Sequence, residues 1–342
     1  MRIDSTILRN FRNLSPNLRI IWDSGINLIL GRNGAGKTNL LEALGIITGW
    51  GAFGKTSSVI SWDKKDGRVL ASISSQLSGE ESFTVNAEIS SRISLRLNDK
   101  SVSFTDLRLS VPSIIFLTGN LNLIDGSPAS RRIFIDRLCA LFVPPFAKRL
   151  ADFKNIFRVR SSLLRQGKSA SSTDIPYCRA GGWIMDIRRE VSVQLMKMMN
   201  TEKFTMKFVP ELSVSGEEYL RAMINENRAR EIYAQRPLFG PNYDELSIMI
   251  TGTGRSASES LSRGQKRRLI LYIILTSGKL IDERLKRKPV LLLDDLTAEL
   301  DAEGKEWTYN QLKATGWQAF ITAPEKPFAT RRKFGGINLN VS

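Results

Sequence analysis

The segment from Gly31 to Thr38, with the sequence GRNGAGKT, constrains this chain more than any other feature. It fits the pattern G-x-x-x-x-G-K-[ST], in which backbone N–H groups of a loop surround the phosphates of a nucleotide. The apolar residues 26–30 before it are typical of a buried strand, and residues 39–44 after it carry apolar side chains at helical spacing. We therefore predict a strand, a phosphate-binding loop and a helix, and with them a site for a nucleoside triphosphate.

The chemistry of such a loop gives its residues distinct roles. Glycines allow backbone groups to approach phosphate oxygens because no Cβ intervenes. Lys37 is predicted to contact the β- and γ-phosphates and Thr38 to bind Mg²⁺, while the helix that follows offers the positive end of its dipole. Arg12, in an early polar turn, is a further candidate for a position near phosphate, with a plain surface arginine as the alternative. The other predicted nucleotide-binding residues of this region are Gly31, Arg32, Asn33, Gly34, Ala35, Gly36 and Asn39.

Residues 289–295, PVLLLDD, form a second motif in which an apolar strand ends in two carboxylates. Such a strand is the expected neighbour of the phosphate loop, where Asp294 would lie beside Thr38 and hold Mg²⁺. Asp295 would then project toward the γ-phosphate and orient or deprotonate the attacking water. A carboxylate is the natural candidate for this task because the chain contains no histidine. The predicted catalytic residues are therefore Lys37, Asp294 and Asp295.

A third motif, LSRGQ at residues 261–265, precedes an apolar helix. A hydroxyl and a glycine at the start of a helix favour the binding of an anion, because the first N–H groups of the helix are unpaired. Ser262, Gly264 and Gln265 are therefore candidate nucleotide-binding residues.

The charge of the chain indicates a polyanionic partner. Lys and Arg number 50 against 34 Asp and Glu, a net charge of +16 among 342 residues. Nucleic acid is the leading explanation, and a generally basic proteome is the alternative. No run approaches the ~20 apolar residues of a membrane span, and Cys139 and Cys178 form neither a CxxC motif nor a disulfide framework. The composition predicts a cytoplasmic protein that is not bound to a membrane.

The order of strand-like and helix-like patterns divides the chain. Residues 68–104 alternate in the manner of an antiparallel meander, with the last strand at 102–104, whereas residues 119–235 are mainly helical. We predict an ATPase domain built from 1–118 and 236–342, with a helical arm inserted at 119–235. Seven basic residues and one acid lie between Lys148 and Lys168, either as a DNA-facing surface or as a solvated face. The candidate DNA contacts of the arm are Arg131, Arg132, Lys148, Arg149, Lys154 and Arg158.

These motifs together resemble those of a known family. The LSRGQ segment is similar to the signature motif of ABC-type ATPases, and residues 298–301 (AELD) are similar to their D-loop. Among these ATPases, the chain resembles the RecF family of bacterial recombination-repair proteins. The resemblance is carried by residues 8–14 (LRNFRNL), by residues 124–136 (IDGSPASRRIFID), by Ser-Arg-Gly-Gln in the signature and by Asp-Asp after the strand. It implies an α/β fold, with an ABC-type P-loop ATPase head of mixed sheet and antiparallel meander and an inserted, mainly helical lobe.

Two segments depart from the pattern of the family. Residues 116–121 lack the Pro-Glu-Asp that the family tends to carry, which leaves Asn120 as the plausible Q-loop amide and a candidate metal ligand. Residues 240–244 (GPNYD) are a weakened form of Gly-Pro-His-Arg-Asp. Both departures concern the sensing of water and the γ-phosphate, and neither falls in the core nucleotide motifs.

The resemblance implies a function in DNA replication, DNA repair and the SOS response. Mg-ATP would join two chains head-to-tail, with Ser262 of one chain acting on the nucleotide of the other, and slow, DNA-stimulated hydrolysis would release them. It further implies binding to duplex DNA beside single-strand gaps with little sequence specificity, and RecO- and RecR-type partners that assist recombinase loading. The alternatives are an ATPase subunit of an ABC transporter and an ATP-gated DNA-binding scaffold that does not hydrolyse ATP.

Overall fold

The computed structural model describes residues 1–54, 56–60, 71–79, 81–117, 122–199, 201, 203–298, 300–327 and 334–339. The chain forms two compact units, the first made of Met1–Leu121 with Ser262–Ser342 and the second of Asn122–Leu261. The strands are β1 (Arg2–Arg9), β2 (Asn17–Ile21), β3 (Ile26–Leu30), β4 (Ala71–Ser78), β5 (Ser82–Ile89), β6 (Ile93–Leu97), β7 (Lys100–Ser101), β8 (Ser113–Phe116), β9 (Phe204–Val209), β10 (Glu245–Ile250), β11 (Val290–Leu293), β12 (Ala319–Ala323) and β13 (Gly335–Asn338). The α-helices are α1 (Lys37–Ile47), α2 (Phe104–Ser110), α3 (Asn122–Asp125), α4 (Pro128–Phe142), α5 (Phe146–Arg165), α6 (Asp174–Met199), α7 (Gly216–Ala234), α8 (Ala257–Ser260), α9 (Arg263–Leu285) and α10 (Ala302–Thr315), and single 3₁₀ turns lie at Thr56–Val59 and Ser171–Thr173.

A parallel sheet with the strand order β13-β3-β12-β11-β8 is the centre of the first unit. Every residue of β11 and β12 is buried, as expected for parallel strands covered on both faces. The predicted strand at 26–30 is confirmed as β3, which pairs with β12, and β12 pairs with β11. Since all these strands run in one direction, the phosphate loop after β3 and Asp294 after β11 reach the same edge of the sheet.

A second, antiparallel sheet of the first unit has the order β2-β1-β4-β5-β6-β7. The predicted meander is confirmed in β4, β5 and β6, which pair successively, although residues 68–70 lie outside the described part. The strand predicted at 102–104 is wrong. Ser103 accepts a hydrogen bond from the backbone N–H of Asp106 and the Asp106 side chain accepts from Ser103, so this capping box starts α2 at Phe104.

The second unit contains α3 to α8 and a two-stranded antiparallel sheet of β9 and β10. We predicted that the arm ends at 235, whereas this compact unit continues to Leu261. The difference has a physical cause, because β10 pairs along its whole length with β9 and residues 245–250 therefore belong with the arm. Among the described residues, no helix is both long enough and apolar enough to cross a lipid bilayer.

Candidate functional site

A cleft of about 290 Å³ opens at the carboxyl edge of the parallel sheet. It lies between the loop that follows β3 and the first turn of α1. Its walls are formed by Asn33, Gly34, Gly36, Lys37, Thr38, Asn39 and Asp295. The phosphate loop and one of the two predicted carboxylates therefore share a single cavity.

The path of the loop depends on two glycines with left-handed backbone angles. Gly34 has φ of 84° and Gly36 has φ of 97°, conformations that residues with a Cβ rarely adopt. A Cβ on Gly36 would lie only 2.6 Å from Cδ2 of Leu14. Asn13 fixes the loop from outside, since its Nδ2 donates to the carbonyl of Gly34 at 2.8 Å and its Oδ1 accepts from Asn39 at 2.6 Å.

Lys37 is buried in the cleft although it carries a charge. Its ammonium group donates to the carbonyl oxygens of Gly31 at 2.7 Å and Arg32 at 3.2 Å. These bonds compensate for the loss of water around the charge. They hold the amine at the loop, where backbone N–H groups and the start of α1 also create a positive field.

The side chains of Thr38 and Asp294 are in contact, as we predicted from the sequence for two residues that would bind the same cation. The Thr38 hydroxyl lies 3.1 Å from Oδ1 and 3.3 Å from Oδ2 of Asp294. Thr322, at the carboxyl end of β12, donates to the same Oδ1 at 2.7 Å and fixes the carboxylate. The described residues contain no group of three or more acidic, Cys or His ligands. One carboxylate with one hydroxyl is the sparse oxygen set that suits Mg²⁺, which retains waters and phosphate ligands.

Asp295 lies beside this pair in a strained backbone conformation, with φ of 47°. Its N–H donates to Oγ1 of Thr322 at 2.9 Å, which turns the side chain toward the cleft. Burial raises the pKa of its carboxyl group, and the adjacent charge of Asp294 raises it further. Its Oδ1 is buried and accepts no hydrogen bond from the described residues. A buried acceptor of this kind fits a ligand or a water molecule that arrives with the nucleotide.

Arg267 of helix α9 reaches the backbone of this acidic segment. One terminal nitrogen of its buried guanidinium donates to the carbonyl of Asp295 at 3.3 Å and of Leu296 at 3.2 Å. Arg267, Thr322 and Asn13 were not predicted as site residues from the sequence. For Arg267 the available signal was its position directly after the signature motif, and for Thr322 it was a hydroxyl residue directly after the apolar residues 319–321.

The signature residues lie at the exposed start of α9. Ser262 is the N-cap of this helix, and its hydroxyl accepts a hydrogen bond from the N–H of Gln265 at 3.3 Å. The Gln265 side chain accepts in return from the N–H of Ser262 at 2.9 Å. Ser262 and Gln265 are exposed and Gly264 is half-buried, and none of them lines the cleft of its own chain.

Three other predicted positions have different outcomes. Arg12 is bound by Glu42 of α1, with distances of 2.5 Å and 3.0 Å from its Nε and a terminal nitrogen to the two carboxylate oxygens. It is absent from the described lining of the cleft, so its contact with nucleotide stays a prediction. Asn120, the candidate Q-loop amide, lies outside the described residues. Glu299, in the segment that resembles the D-loop, also lies outside them. Asp301 of that segment caps α10 by accepting from the N–H of Gly304 at 2.7 Å.

The candidate DNA contacts of the arm fall into two groups. Arg131 forms an ion pair with Glu245 and donates to the carbonyl of Gly126 at 2.9 Å, and Arg132 donates to the carbonyl of Asp244 at 2.8 Å. These two half-buried arginines are bonded within the arm, and their contact with DNA stays a prediction.

The other candidates lie on the outside of α5. Lys148, Arg149, Lys154 and Arg158 are exposed, and the Arg149 guanidinium lies 4.4 Å from the centre of a Trp183 ring. Arg160, from the same basic run, is buried instead and bonds to Asp174 at 2.5 Å and Glu231 at 2.6 Å. The exposed surface of α5 therefore carries fewer positive charges than the number of basic residues in its sequence suggests.

Comparison with known proteins gives matches over almost the whole chain. The family model described as RecF/RecN/SMC N terminal domain matches residues 2–336. The DNA replication and repair protein RecF of Heliobacterium modesticaldum is 27% identical, with 94% of this chain and 92% of that protein covered. The protein of the same name from Shewanella pealeana is 28% identical, with 95% and 92% covered.

Solved structures show the same architecture. The recombination mediator protein RecF-ATPrS in the RecFOR pathway matches with a TM-score of 0.84 at 22% identity, covering 99% of this chain and 96% of that one. The RecF-ATP structure matches with a TM-score of 0.81 at 23% identity, covering 97% and 93%. An SMC head bound to the C-winged helix domain of ScpA has a TM-score of 0.52 at 16% identity, covering 96% and 90%. The predicted ABC-type α/β fold is thereby confirmed.

Proposed function

Because this chain belongs to the RecF/RecN/SMC N-terminal domain family and matches RecF proteins over nearly its whole length, we propose that it is an ATP-dependent DNA-binding protein of replication and recombinational repair. The observation that carries the proposal is the contact of 3.1 Å between the hydroxyl of Thr38 and Asp294, at a cleft that is lined by Thr38, Lys37 and Asp295. These are the functional groups that nucleoside triphosphate hydrolysis needs, and they converge from two segments of the chain that are about 250 residues apart.

The proposed roles follow from this geometry. Lys37 contacts the β- and γ-phosphates, while the N–H groups of residues 31–39 surround the phosphate chain. Thr38 and Asp294 would hold Mg²⁺, which neutralises phosphate charge when bound. Asp295, whose buried Oδ1 is free of partners among the described residues, accepts a hydrogen bond from the attacking water and orients it.

The signature motif is proposed to act on a second chain. Ser262 is exposed and presents a helix N-terminus, yet it does not line the cleft of its own chain. ATP bound in one cleft would meet Ser262, Gly264 and Gln265 of another chain, so that it favours the head-to-tail dimer over the monomer by contacting both halves. Hydrolysis removes this contact and releases the dimer.

DNA is the proposed cargo of the dimer. The net charge of +16 and the exposed cations of α5 support binding to phosphates without strong sequence preference. The relatives are named DNA replication and repair protein RecF, and two of the matching structures are described as RecF in the RecFOR pathway. We extend this to duplex DNA beside single-strand gaps, and to RecO- and RecR-type partners in the loading of recombinase.

Phosphate release tests the enzymatic part of the proposal. We expect slow ATP hydrolysis that duplex or gapped DNA stimulates and that Lys37→Ala or Asp294→Asn abolishes, because each change removes a group that holds the phosphates or the metal. Lys197→Ala, an exposed lysine of α6 outside the cleft, is the matched control and should leave the rate unchanged. Undiminished turnover in the Lys37 variant would overturn the site. ATP binding without turnover in the unmodified protein would instead indicate a scaffold gated by ATP.

Self-association tests the proposed contact between chains. Ser262→Ala should keep ATP binding but lose ATP-dependent dimerisation, because the hydroxyl is removed from the partner's nucleotide and not from the chain's own cleft. Ser260→Ala, an exposed serine two positions earlier, is the control. Sizing by light scattering with and without ATP measures the effect. A dimer whose formation does not depend on ATP in the unmodified protein would contradict the model.

A further inference from the structure

The first unit contains a second polar cleft at the edge of the parallel sheet opposite to the nucleotide cleft. Its volume is about 450 Å³. It is lined by residues at the amino-terminal sides of β1, β3, β11 and β12 and at the end of β4, namely Met1, Arg2, Ser24, Ser78, Gly79, Lys288, Gly316, Trp317 and Gln318. The five residues of β3 separate the two edges, a distance of roughly 17 Å at ~3.3 Å per residue. This cleft is therefore a separate site.

The charged groups of this cleft are cationic. None of the described residues that line it carries a carboxylate side chain. Lys288 is exposed and has no hydrogen-bonded or ion-paired partner among the described residues. Arg2 uses its Nε for Asp4 at 2.9 Å and Ser78 at 2.8 Å, and its two terminal nitrogens have no partner in the described part of the chain. Two cationic groups thus retain unpaired N–H donors.

The surroundings make this cationic character stronger. Lys286 and Arg287 directly precede Lys288, Arg284 lies in the last turn of α9, and Arg287 donates to the carbonyls of Leu109 and Ser110 at 2.9 and 3.0 Å. The pKa of the Met1 amino group is lowered, first by burial and then by the charges of Lys288 and Arg287. Asp282 acts in the opposite direction and does not cancel them.

The chemistry of the lining selects among anions. Ser24 offers an exposed hydroxyl, and Gly79 and Gly316 place no side chain in the way of a bulky tetrahedral group. The Trp317 and Gln318 side chains are almost fully buried, and Gln318 is bonded to Ile3 and Asp23, so the floor of the cleft is rigid. Small hydroxyl and glycine residues with one Arg and one Lys are typical of a phosphate site, whereas an acidic peptide would need apolar pockets for its other side chains.

We propose that this cleft binds a phosphate group, held by the terminal nitrogens of Arg2, the ammonium group of Lys288 and the hydroxyl of Ser24. The phosphate belongs either to a free nucleotide or to the backbone of a DNA strand. The proposal is independent of the function proposed above, because none of these residues is part of the nucleotide cleft.

Isothermal titration at low salt tests the proposal in the Lys37→Ala protein, where the nucleotide cleft is disabled. The probes are inorganic phosphate, AMP, a single-stranded 12-mer oligonucleotide and a hexaglutamate peptide. We expect one equivalent of a phosphate probe to bind, and we expect Lys288→Gln or Arg2→Gln in that background to weaken its binding at least tenfold. Lys279→Gln, which removes an exposed charge of α9 away from the cleft, should change the affinity less than twofold.

The probes also identify the source of the phosphate. Binding of AMP or phosphate that weakens in the Lys288 and Arg2 variants indicates a nucleotide, and binding of the 12-mer alone with the same weakening indicates the DNA backbone. The proposal is overturned if no phosphate probe binds, if the Lys288 and Arg2 variants bind like the parent protein, or if hexaglutamate binds with the same dependence on Lys288 while phosphate probes do not. Loss of ATP hydrolysis in Lys37→Ala is a separate result that bears only on the nucleotide cleft.

Discussion

The carboxylate of Asp295 lies in surroundings that disfavour its ionised form. Burial removes water from it, and Asp294 places a second negative charge next to it, so its pKa is raised. Lys37 and Arg267 oppose this shift without cancelling it. A carboxylate with a raised pKa is a stronger base than one in water, which suits a residue that takes part in proton transfer from the attacking water.

A dependence of hydrolysis on pH follows from this residue. The ionised form of Asp295 is lost as the pH falls through its raised pKa, so kcat/KM, which reports the free enzyme, should fall on the acid side at a higher pH than an ordinary aspartate would cause. Asp295→Asn should lower kcat by about 10²–10⁴-fold, the usual contribution of a general base, and should remove this acid limb while ATP binding is kept. The measurement is kcat/KM, together with kcat, from steady-state phosphate release between pH 4.5 and 8.

Asp99→Asn serves as the control for this experiment, since Asp99 is an exposed carboxylate in the turn between β6 and β7. Its kcat and pH profile should match those of the unmodified protein. An Asp295→Asn protein with full turnover would assign water activation to another group.

Some contacts between individual residues could be predicted from the sequence, and others could not. The contact between Thr38 and Asp294 was predictable because each follows a recognisable apolar strand, and parallel strands bring their carboxyl ends together. The pairing of Arg131 with Glu245 and of Arg160 with Glu231 was not predictable. These partners are separated by 114 and 71 positions, and a charge in a sequence does not indicate which distant charge it meets.

Among the secondary-structure elements, several strands were predictable from the local pattern of apolar residues. The boundary between the two units depends on which strands pair, and the sequence pattern does not show this. The fully apolar β11 and the alternating β4 and β5 were predictable from their periodicity. The membership of β10 in the arm was not, because it depends on pairing with β9 some forty residues earlier. A short apolar run does not show which partner strand it will find.

Helix α9 connects two functional segments. Its first residues carry the exposed signature, and Arg267, one turn later, donates to the carbonyls of Asp295 and Leu296. A displacement of the start of this helix upon contact with a second chain would therefore be transmitted to the backbone that carries Asp295. Arg267 is a positioning residue in this arrangement, because it acts on the carboxylate only through the backbone and its charge.

Arg267→Met tests this connection. The variant should bind ATP with an affinity within twofold of the unmodified protein but hydrolyse it more slowly, since the backbone carbonyls of Asp295 and Leu296 each lose a hydrogen bond. The acid limb of the pH profile should also move to higher pH, because the Arg267 charge lowers the pKa of Asp295 and its removal raises that pKa further. Arg267→Lys keeps the charge and should restore the position of the limb. A merely structural role would lower the rate without moving the limb, and that result would contradict the prediction.

The charge of the whole molecule was evident from its sequence, while its distribution required the structure. Part of the positive charge is used internally, as in the ion pairs of Arg188 with Asp136 and Asp244. The excess that remains on the surface includes Lys154 and Arg158, four positions apart on one face of α5. Only such exposed cations can displace counterions from DNA, so net charge overstates the number of phosphate contacts.

The dependence of DNA affinity on salt measures this number for the whole molecule. The logarithm of the association constant should fall linearly with the logarithm of the salt concentration, with a slope of about −0.9 for each phosphate neutralised on duplex DNA. Removing Lys154 and Arg158 together, by Lys154→Gln with Arg158→Gln, should reduce the slope by about 2 and weaken binding similarly for all sequences.

Arg92→Gln with Arg96→Gln removes two exposed charges from the hairpin of β5 and β6 and is the matched control. Fluorescence anisotropy of a labelled duplex from low to moderate salt gives both slopes. Equal reduction of the slope in the two double variants would show that overall charge, and not the surface of α5, determines DNA binding, and a flat response in the unmodified protein would exclude phosphate contacts altogether.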